Sequence, residues 1–251
     1  MKQQQIKVAV ISDVHGNLTA LQAALSAINR EADKVVCLGD VAATGPQPHE
    51  TIALLKELGC PCVMGNTDET LWKGTPDHFG SGGRPREEIL RLKALDEWTR
   101  SRITNSDRKT LSTFKPTVTV KVGDAAMLCY HGSPRSNTER ILPTTTDDDL
   151  AAVFSTSRAA IFAGGHTHTQ MVRRWRDSVI INPGSVGLPF EQTSDGTMRN
   201  PAWAEYAMVS VGPSTGLGVE LRRVRYSLSK LSRAVRKSGM PDPEWWLADW
   251  V

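Results

Sequence analysis

The stretch Ile6-Lys7-Val8-Ala9-Val10-Ile11-Ser12-Asp13-Val14-His15 decides the fold, and it lies near the start of the chain. Its first six residues are β-branched or small and apolar apart from one lysine, which is typical of a strand inside a sheet. A carboxylate and an imidazole follow, two residues apart, so on extended backbone they project to the same side. The stretch therefore predicts a buried strand that brings two candidate metal ligands to one edge of the sheet.

Strands and helices alternate after this stretch. Apolar residues at helical spacing predict helices over Asn17 to Arg30 and over His49 to Leu58. Short apolar runs predict strands over Lys34 to Leu38 and over Cys62 to Met64. This order predicts right-handed βαβ units and a mostly parallel sheet, in which ligands collect beyond the carboxyl ends of the strands.

Four further pieces place metal-binding side chains at predicted strand ends. They are Gly39-Asp40, Gly65-Asn66-Thr67-Asp68, His131-Gly132 and Gly164-Gly165-His166-Thr167-His168. Carboxylate, imidazole and amide groups suit divalent cations, and two cations about 3.5–4 Å apart can generate a hydroxide and clamp the oxygens of a phosphoryl transfer. Five such pieces predict a two-metal hydrolytic site. The alternative, a set of capping and turn-forming polar groups, is disfavoured.

The second half of the chain is richer in strands. We predict two hairpins, a closing antiparallel pair and a last helix, over Thr117 to Tyr130, Met171 to Ile181, Ala204 to Tyr226 and Ser227 to Ser238. The fold class is therefore α/β, a four-layer sandwich of two mixed β-sheets flanked by helices. We expect one domain over residues 1–251, with residues 74–115 as a helical insertion that caps one side of the site.

Composition limits the classes of protein that the chain can belong to. Hydrophobic residues make up 39% and charged residues 23%, so a buried core is feasible. No apolar run approaches the roughly 20 residues of a membrane span, and the polar start does not predict a signal peptide. A net charge of +3 does not indicate a stable nucleic-acid partner. Four cysteines without the spacing of a zinc site favour free thiols, and we expect a cytoplasmic protein.

The Trp-rich tail either packs on the body or forms a homodimer contact.

From Val8 to about Gly187 the chain resembles the calcineurin-like metallophosphoesterase superfamily. The stretches Ser12-Asp13-Val14-His15-Gly16-Asn17, Gly39-Asp40-Val41 and Gly45-Pro46 are similar to the small bacterial and archaeal branch, which includes phosphodiesterases. The resemblance implies two mixed sheets with flanking helices. It also implies a dinuclear metal centre whose bridging hydroxide attacks phosphorus in line.

The resemblance further implies the role of each ligand. The first metal would be held by Asp13, His15, Asp40 and His168. The second would be held by Asp40, Asn66, His131 and His166, with Asp40 as the bridge. Within this set, Asp40, Asn66 and His131 are expected to be catalytic. The cofactors would be two divalent ions, with Mn²⁺ expected and Fe, Zn²⁺ or Ni²⁺ compatible with the same ligands.

One residue departs from the pattern of the family. Many members carry His after the Asn, where it protonates the leaving group, and this chain has Thr67. A threonine hydroxyl only hydrogen-bonds, so esters with good leaving groups are favoured. Asp68 is either a substitute acid or an N-cap. Thr67, Arg135 and Ser185 are candidate substrate contacts, and Ser185 also a candidate support for the ligands.

The leading hypothesis is a metal-dependent phosphodiesterase that acts on small nucleotide-like diesters. The first alternative is a pyrophosphohydrolase of dinucleoside polyphosphates such as diadenosine tetraphosphate. A phosphomonoesterase or protein phosphatase is the next, although Val41-Ala42-Ala43 stands where phosphoprotein phosphatases carry Asp-Arg-Gly. A non-catalytic binding scaffold is disfavoured, because no metal ligand of the family pattern is missing.

Overall fold

The computed structural model describes residues 5–75 and 84–251. Residues 76–83, which belong to the predicted insertion, lie outside the described residues. The strands are β1 Ile6–Ile11, β2 Lys34–Cys37, β3 Thr117–Val122, β4 Ala125–Tyr130, β5 Ile161–Ala163, β6 Met171–Trp175, β7 Ser178–Asn182, β8 Glu191–Gln192, β9 Met198–Arg199, β10 Trp203–Gly212 and β11 Gly216–Arg225. The helices are α1 Leu18–Ile28, α2 Pro48–Leu58, α3 Asn66–Lys73, α4 Arg86–Arg102, α5 Asn105–Leu111, α6 Asp147–Val153, α7 Leu228–Ser238 and α8 Pro243–Leu247.

Two mixed sheets form the centre of the fold, as the sequence predicts. The first has the strand order β11-β10-β1-β2, in which β1 runs parallel to β2 and antiparallel to β10. The second has the order β3-β4-β5-β7-β6, with β4, β5 and β7 parallel. The short strands β8 and β9 pair in a separate hairpin. The carboxyl ends of β1, β2, β4 and β5 each lead into a piece with predicted metal ligands.

The residues of β1 show how the layers are packed. Ala9 and Ile11 are fully buried in a cluster with the apolar faces of α1 and α2. Val8 and Val10 point the other way, into a cluster with the second sheet. Burial of one such aliphatic side chain stabilises the fold by about 1.5–3 kcal/mol. A further cluster packs the outer face of the second sheet against α6, which completes a helix–sheet–sheet–helix sandwich.

Helix ends follow the local sequence. The Asn17 side chain accepts a hydrogen bond of 3.0 Å from Ala20 N, so Asn17 caps α1. The helix therefore begins one residue later than the sequence predicts. Pro48 opens α2, and Gly59 ends it in the left-handed conformation with φ 64°. The predicted strand at Cys62 to Met64 is reduced to isolated bridges, from Cys62 to Cys37 and from Val63 to Lys115.

The C-terminal tail packs back on the body. Trp246 and Trp250 are buried in one apolar cluster with Leu95 of α4 and Leu231 of α7. This is the first of the two roles expected for the tail, and the homodimer stays a prediction. The helices of the insertion, α4 and α5, lie against α2, and α5 also contacts α3. Their role as a cap over the site stays a prediction. No described helix has both the length and the apolarity needed to cross a membrane.

Candidate metal centre

The structure gathers the predicted ligands into two groups. Asp13, His15 and His168 form one group, and their candidate ligand atoms lie within 4.8 Å of one another. Asp40, His131 and His166 form the second group by the same measure. All but His166, which is partly exposed, are buried. The division into two groups is the one that the family resemblance implies for two metals.

Asp40 connects the two groups, and Asn66 joins the second group. The Asp40 Oδ2 atom lies 3.9 Å from His15 Nε2 and 3.4 Å from His131 Nε2, so this carboxylate faces both groups. The Asn66 Oδ1 atom lies 3.1 Å from His131 Nε2, which brings the amide of α3 to the second group. The structure therefore brings all seven predicted metal ligands together.

Five of these ligands have left-handed backbone conformation. Asp13, His15, Asp40, His166 and His168 have φ between 47° and 67°, and they are five of the eight non-glycine residues with positive φ in the described chain. Such conformations are uncommon for residues with a Cβ and cost of order 1–3 kcal/mol each. Tertiary contacts therefore hold these loops in place. Asp13 N donates to Gly39 O at 2.9 Å, and His15 N donates to Asp40 O at 2.9 Å.

Backbone carbonyls orient three of the imidazoles through Nδ1. His131 Nδ1 lies 2.8 Å from Leu38 O, His168 Nδ1 lies 2.8 Å from Leu188 O, and His15 Nδ1 lies 3.1 Å from Ala43 O. Since carbonyl oxygens only accept hydrogen bonds, each Nδ1 carries the hydrogen. The neutral ring then presents the lone pair of Nε2 to the centre, which is the arrangement of a metal-binding histidine.

The Nε2 atoms of His15 and His168 face each other at 3.1 Å. Burial, reinforced by the neighbouring His168, lowers the pKa of His15 to about 4, so this ring is neutral. Burial lowers the pKa of His168 as well, but the Asp13 carboxylate at 3.2 Å outweighs burial and raises it. A positive charge is therefore favoured between these groups, where a proton or a metal cation can supply it.

The centre contains buried polar atoms that have no hydrogen bond among the described residues. Asp13 Oδ1 is one of them, and the His168 Nε2 atom lies 3.2 Å from it. Ser12 Oγ and Thr67 Oγ1 are buried in the same way. Orphaned buried oxygens are costly in a folded protein, and a bound cation satisfies a carboxylate oxygen. The donor set fits two divalent cations, since it combines carboxylate, imidazole and amide groups and no thiolate.

The Asp40 carboxylate is held by its neighbours. Thr67 N donates to Asp40 Oδ1 at 3.0 Å. Burial opposes ionisation of Asp40, but the adjacent His131 outweighs it and lowers the pKa of the carboxyl. Burial of the His131 ring lowers its pKa, but the Asp40 carboxylate outweighs burial and raises the pKa of His131 to about 10. The backbone at Thr67 thus positions Asp40, whereas the Thr67 hydroxyl has no hydrogen bond to any described residue.

Asp68 caps helix α3, which is one of the two roles considered for it, but it does so from the third helical position, and Gly65 is the N-cap residue. Helix α3 begins at Asn66, so Asp68 lies inside its first turn. Its carboxylate accepts from the N–H groups of Asp40 at 2.7 Å, Val41 at 2.9 Å and Gly65 at 3.2 Å. Burial and the adjacent Asp40 raise the pKa of Asp68 to about 7. The side chain therefore ties α3 to the loop that carries Asp40.

Ser185 is fully buried, and its expected contact with substrate stays a prediction. Its hydroxyl donates to Asp13 O at 2.7 Å and accepts from Leu188 N at 2.8 Å. Ser185 therefore supports the ligand loop at Asp13, the other role that the sequence suggested.

The side chain of Arg135 is engaged away from the ligands. Its guanidinium forms an ion pair with Glu139 and also donates to Ala152 O at 3.3 Å. Among the described contacts, none joins Arg135 to the seven ligands. Its role as a phosphate contact stays a prediction and requires this ion pair to open.

Two glycines are required by the packing of the last ligand piece. A Cβ on Gly164 would lie 2.4 Å from Tyr130 Cε2, and a Cβ on Gly165 would lie 2.0 Å from Ser12 Oγ. Both approaches are far shorter than a van der Waals contact, so only glycine fits. These glycines let the chain that leads to His166 pass directly beside the Asp13 loop.

Phe190 and the supporting carbonyls were not identified from the sequence. The Phe190 ring stacks on His168 with centroids 4.8 Å apart and an interplanar angle of 23°. The sequence offers no signal for this contact, because only the fold brings Phe190 beside His168. The carbonyls of Leu38, Ala43 and Leu188 have no signature in the sequence, because every residue has one.

The chain matches known proteins over most of its length. Residues 6–200 match the family model of the calcineurin-like phosphoesterase superfamily domain. The chain is 30% identical to the uncharacterized protein MJ0912 of Methanocaldococcus jannaschii, and the match covers 96% of each chain.

Two solved structures share the fold over nearly the whole chain. A metallophosphoesterase from Sphaerobacter thermophilus is 25% identical with a TM-score of 0.72, over 97% of this chain and 98% of that one. The hypothetical protein PH1004 from Pyrococcus horikoshii OT3 is 21% identical with a TM-score of 0.74, over 94% and 95%. With the family match and the two buried His/Asp groups, these findings show that the chain belongs to the calcineurin-like phosphoesterase superfamily.

Proposed function

We propose that the protein is a phosphodiesterase that uses two divalent metal ions to hydrolyse small nucleotide-like diesters. One ion would be held by Asp13, His15, Asp40 and His168, and the other by Asp40, Asn66, His131 and His166. Bound there, the ions would supply a nucleophile from water near neutral pH and stabilise charge on the phosphoryl oxygens. We propose Mn²⁺ as the metal, with Fe, Zn²⁺ and Ni²⁺ as the alternatives to compare.

The observation that carries the choice of a diester is Thr67 beside Asp40. The Thr67 hydroxyl is too weak an acid to protonate a leaving group near neutral pH. The imidazole and carboxyl groups near Thr67 that could act as an acid are engaged, since the four imidazoles belong to the ligand groups and the Asp68 carboxylate accepts three backbone N–H groups. Substrates whose leaving group departs without a proton therefore suit this site.

The residues around the ligands supply orientation. Leu38 O and Leu188 O hold the rings of His131 and His168, and Thr67 N holds the Asp40 carboxylate. Such preorganisation keeps the donor atoms in place before substrate arrives. Ser185 and Asp68 support the loops of Asp13 and Asp40 in the same way.

Turnover of bis(p-nitrophenyl) phosphate and of p-nitrophenyl phosphate by the Mn²⁺-loaded protein tests the diester preference. Both substrates release the same phenolate, so the comparison isolates the charge and the second ester group. We expect a higher kcat/KM for the diester. Equal or faster turnover of the monoester would remove the preference. An Asp40→Asn variant, purified in parallel, shows whether a contaminating phosphatase contributes.

A second candidate follows from the same residue. A nucleoside polyphosphate also departs without a proton, so hydrolysis of a dinucleoside polyphosphate fits a site with Thr67 in place of an acid. Product analysis on diadenosine tetraphosphate separates the two candidates. Two molecules of ADP would support the pyrophosphohydrolase, and lack of turnover would remove it. A binding scaffold is disfavoured because all seven ligands are in place.

We propose a reducing compartment, the cytoplasm, as the location. The four cysteines are free, and Cys60 Sγ lies 3.9 Å from Cys62 Sγ without a bond between them. In an oxidising compartment such a pair is exposed to disulfide formation. Fluorescence of a tagged copy of the full chain in its native cell tests this proposal.

A further inference from the structure

Phe190 is an exposed aromatic residue at the metal centre. It is 44% exposed, and it belongs to none of the apolar clusters of the described residues. One face of its ring stacks on the imidazole of His168, with centroids 4.8 Å apart. An exposed phenyl ring in contact with a buried ligand lies at the boundary between the centre and solvent.

The chain before Phe190 is rigidly anchored. Val186 N donates to Ser12 O at 2.9 Å, and Gly187 N donates to Asp13 O at 3.0 Å. The side chain of Leu188 packs on the cluster of α4, α7 and α8, and its carbonyl holds His168. Phe190 N then donates to Leu188 O at 3.0 Å. The ring is therefore held beside the ligands before any substrate arrives, which lowers the entropic cost of binding to it.

We infer that Phe190 is a specificity-determining residue that stacks against the nucleobase of a nucleotide substrate whose phosphate lies at the metal centre. Aromatic side chains bind bases of any sequence by stacking, because every base has a π face. Phe190 exposes almost half of its surface directly beside a predicted metal ligand, where a base can reach it. This inference rests on the proposed function, since it names the group that the diester carries.

The binding of adenosine monophosphate compared with ribose 5-phosphate tests the inference. The two ligands share a phosphate and a ribose and differ by the base, and calorimetric titration of the Mn²⁺-loaded protein measures both. We expect adenosine monophosphate to bind about tenfold more tightly, the effect of one base–aromatic stack. In Phe190→Ala the ratio of the two dissociation constants should fall to about one, and in Phe190→Trp it should be restored.

Two controls separate stacking from support of His168. Metal content is measured for each variant, because a loss of metal in Phe190→Ala would show that the ring positions His168. In that case Phe190→Leu, which keeps an apolar side chain over His168 but lacks the π face, becomes the deciding variant and should also lose the preference for the base. Met198→Ala, at an equally exposed apolar residue of β9, should leave the ratio unchanged.

The inference is overturned if the wild-type protein binds both ligands equally, or if the Phe190 variants weaken both by the same factor. Neither result touches the proposed function, because hydrolysis of bis(p-nitrophenyl) phosphate is measured separately. Conversely, a protein that prefers adenosine monophosphate through Phe190 but cleaves no diester would support stacking of the base on Phe190 and contradict the proposed phosphodiesterase activity.

Discussion

His15 Nε2 and His168 Nε2 lie 3.1 Å apart, although 153 positions separate the two residues in the chain. Because both Nε2 atoms and the Asp13 carboxylate face the same point, we expect a divalent cation bound there to stabilise the fold. At a hundredfold excess of Mn²⁺ over its dissociation constant the gain is about 2.7 kcal/mol. Calorimetric melting with Mn²⁺ and with EDTA measures it, as a difference of several degrees.

The matched controls for this stabilisation are two histidine variants. His15→Gln should lose most of the Mn²⁺-dependent shift in melting temperature. His49→Gln should keep it, because His49 contacts Asp107 and not the ligand groups. An identical shift in the two variants would contradict the assignment of His15 as a ligand.

Replacement of the bridging carboxylate should affect both metals together. Asp40→Asn keeps an oxygen that accepts from Thr67 N but removes the charge that faces both groups, so we expect metal content to fall below two ions per chain. Activity should fall by at least about a thousandfold, since loss of the metal removes both nucleophile and charge stabilisation. Elemental analysis and kcat/KM check this. Asp124→Asn, at an exposed turn residue, is the neutral control. Full metal content in Asp40→Asn would exclude the bridging role.

Introduction of an acid at position 67 should change substrate preference. We expect Thr67→His to raise the turnover of an alkyl monoester relative to an aryl diester by about tenfold or more, because only the alkoxide leaving group needs a proton. Thr67→Gln, which also enlarges the side chain but carries no acid, should not raise the ratio. If Thr67→His leaves it unchanged, the account of this position fails.

The ion pair between His49 and Asp107 predicts a pH-dependent stability. Its atoms Nδ1 and Oδ2 lie 2.8 Å apart. The hydrogen bond to Asp107 raises the pKa of His49, aided by the charges of Asp107 and Glu50. The folded-state pKa of His49 is thus raised above its unfolded-state pKa near 6.5. The ion pair therefore stabilises the folded protein fully below pH 6.5, and this stabilisation is lost as pH rises through the folded-state pKa.

The carboxylate side of this pair has the opposite sign. Burial opposes ionisation of Asp107, but the hydrogen bond from His49 outweighs burial and lowers the pKa of Asp107. The stabilisation from the ionised carboxylate is therefore lost as pH falls through this lowered pKa. We expect His49→Gln to destabilise the protein most between about pH 4 and 6.5 and little at pH 9. The loss should stay below about 1 kcal/mol, because His49 is half exposed. Urea unfolding of both proteins across this range measures it, and a pH-independent difference would contradict the pair.

The fold and the metal ligands could be predicted because they depend on local patterns. Nearly continuous apolar runs mark β1 and β4, and alternation marks β3, and each ligand piece directly follows an apolar run. The strand at Cys62 to Met64 was overpredicted, since a short apolar run does not reveal whether a neighbour lies alongside for its whole length.

Long-range contacts set the limits of the prediction. The capping by Asp68 could be predicted, but its bonds to Asp40 N and Val41 N could not, because these partners lie on another loop and only the fold brings them to its carboxylate. The left-handed backbone of Asp13 and His15 is imposed by hydrogen bonds with the loop after β2, which no residue type announces. The pair of Arg135 with Glu139, four positions apart, could have been anticipated from the sequence.

The central place of β1 has a consequence for synthesis of the chain. One edge of β1 pairs with β2 early, but the other edge pairs with β10, so that Ile6 meets Val211. On the ribosome this second edge stays open until most of the polypeptide has emerged, and His168 follows His15 after a similar delay. We therefore expect truncated nascent chains to aggregate. We also expect the metals to bind after the chain has folded, and not to start its folding.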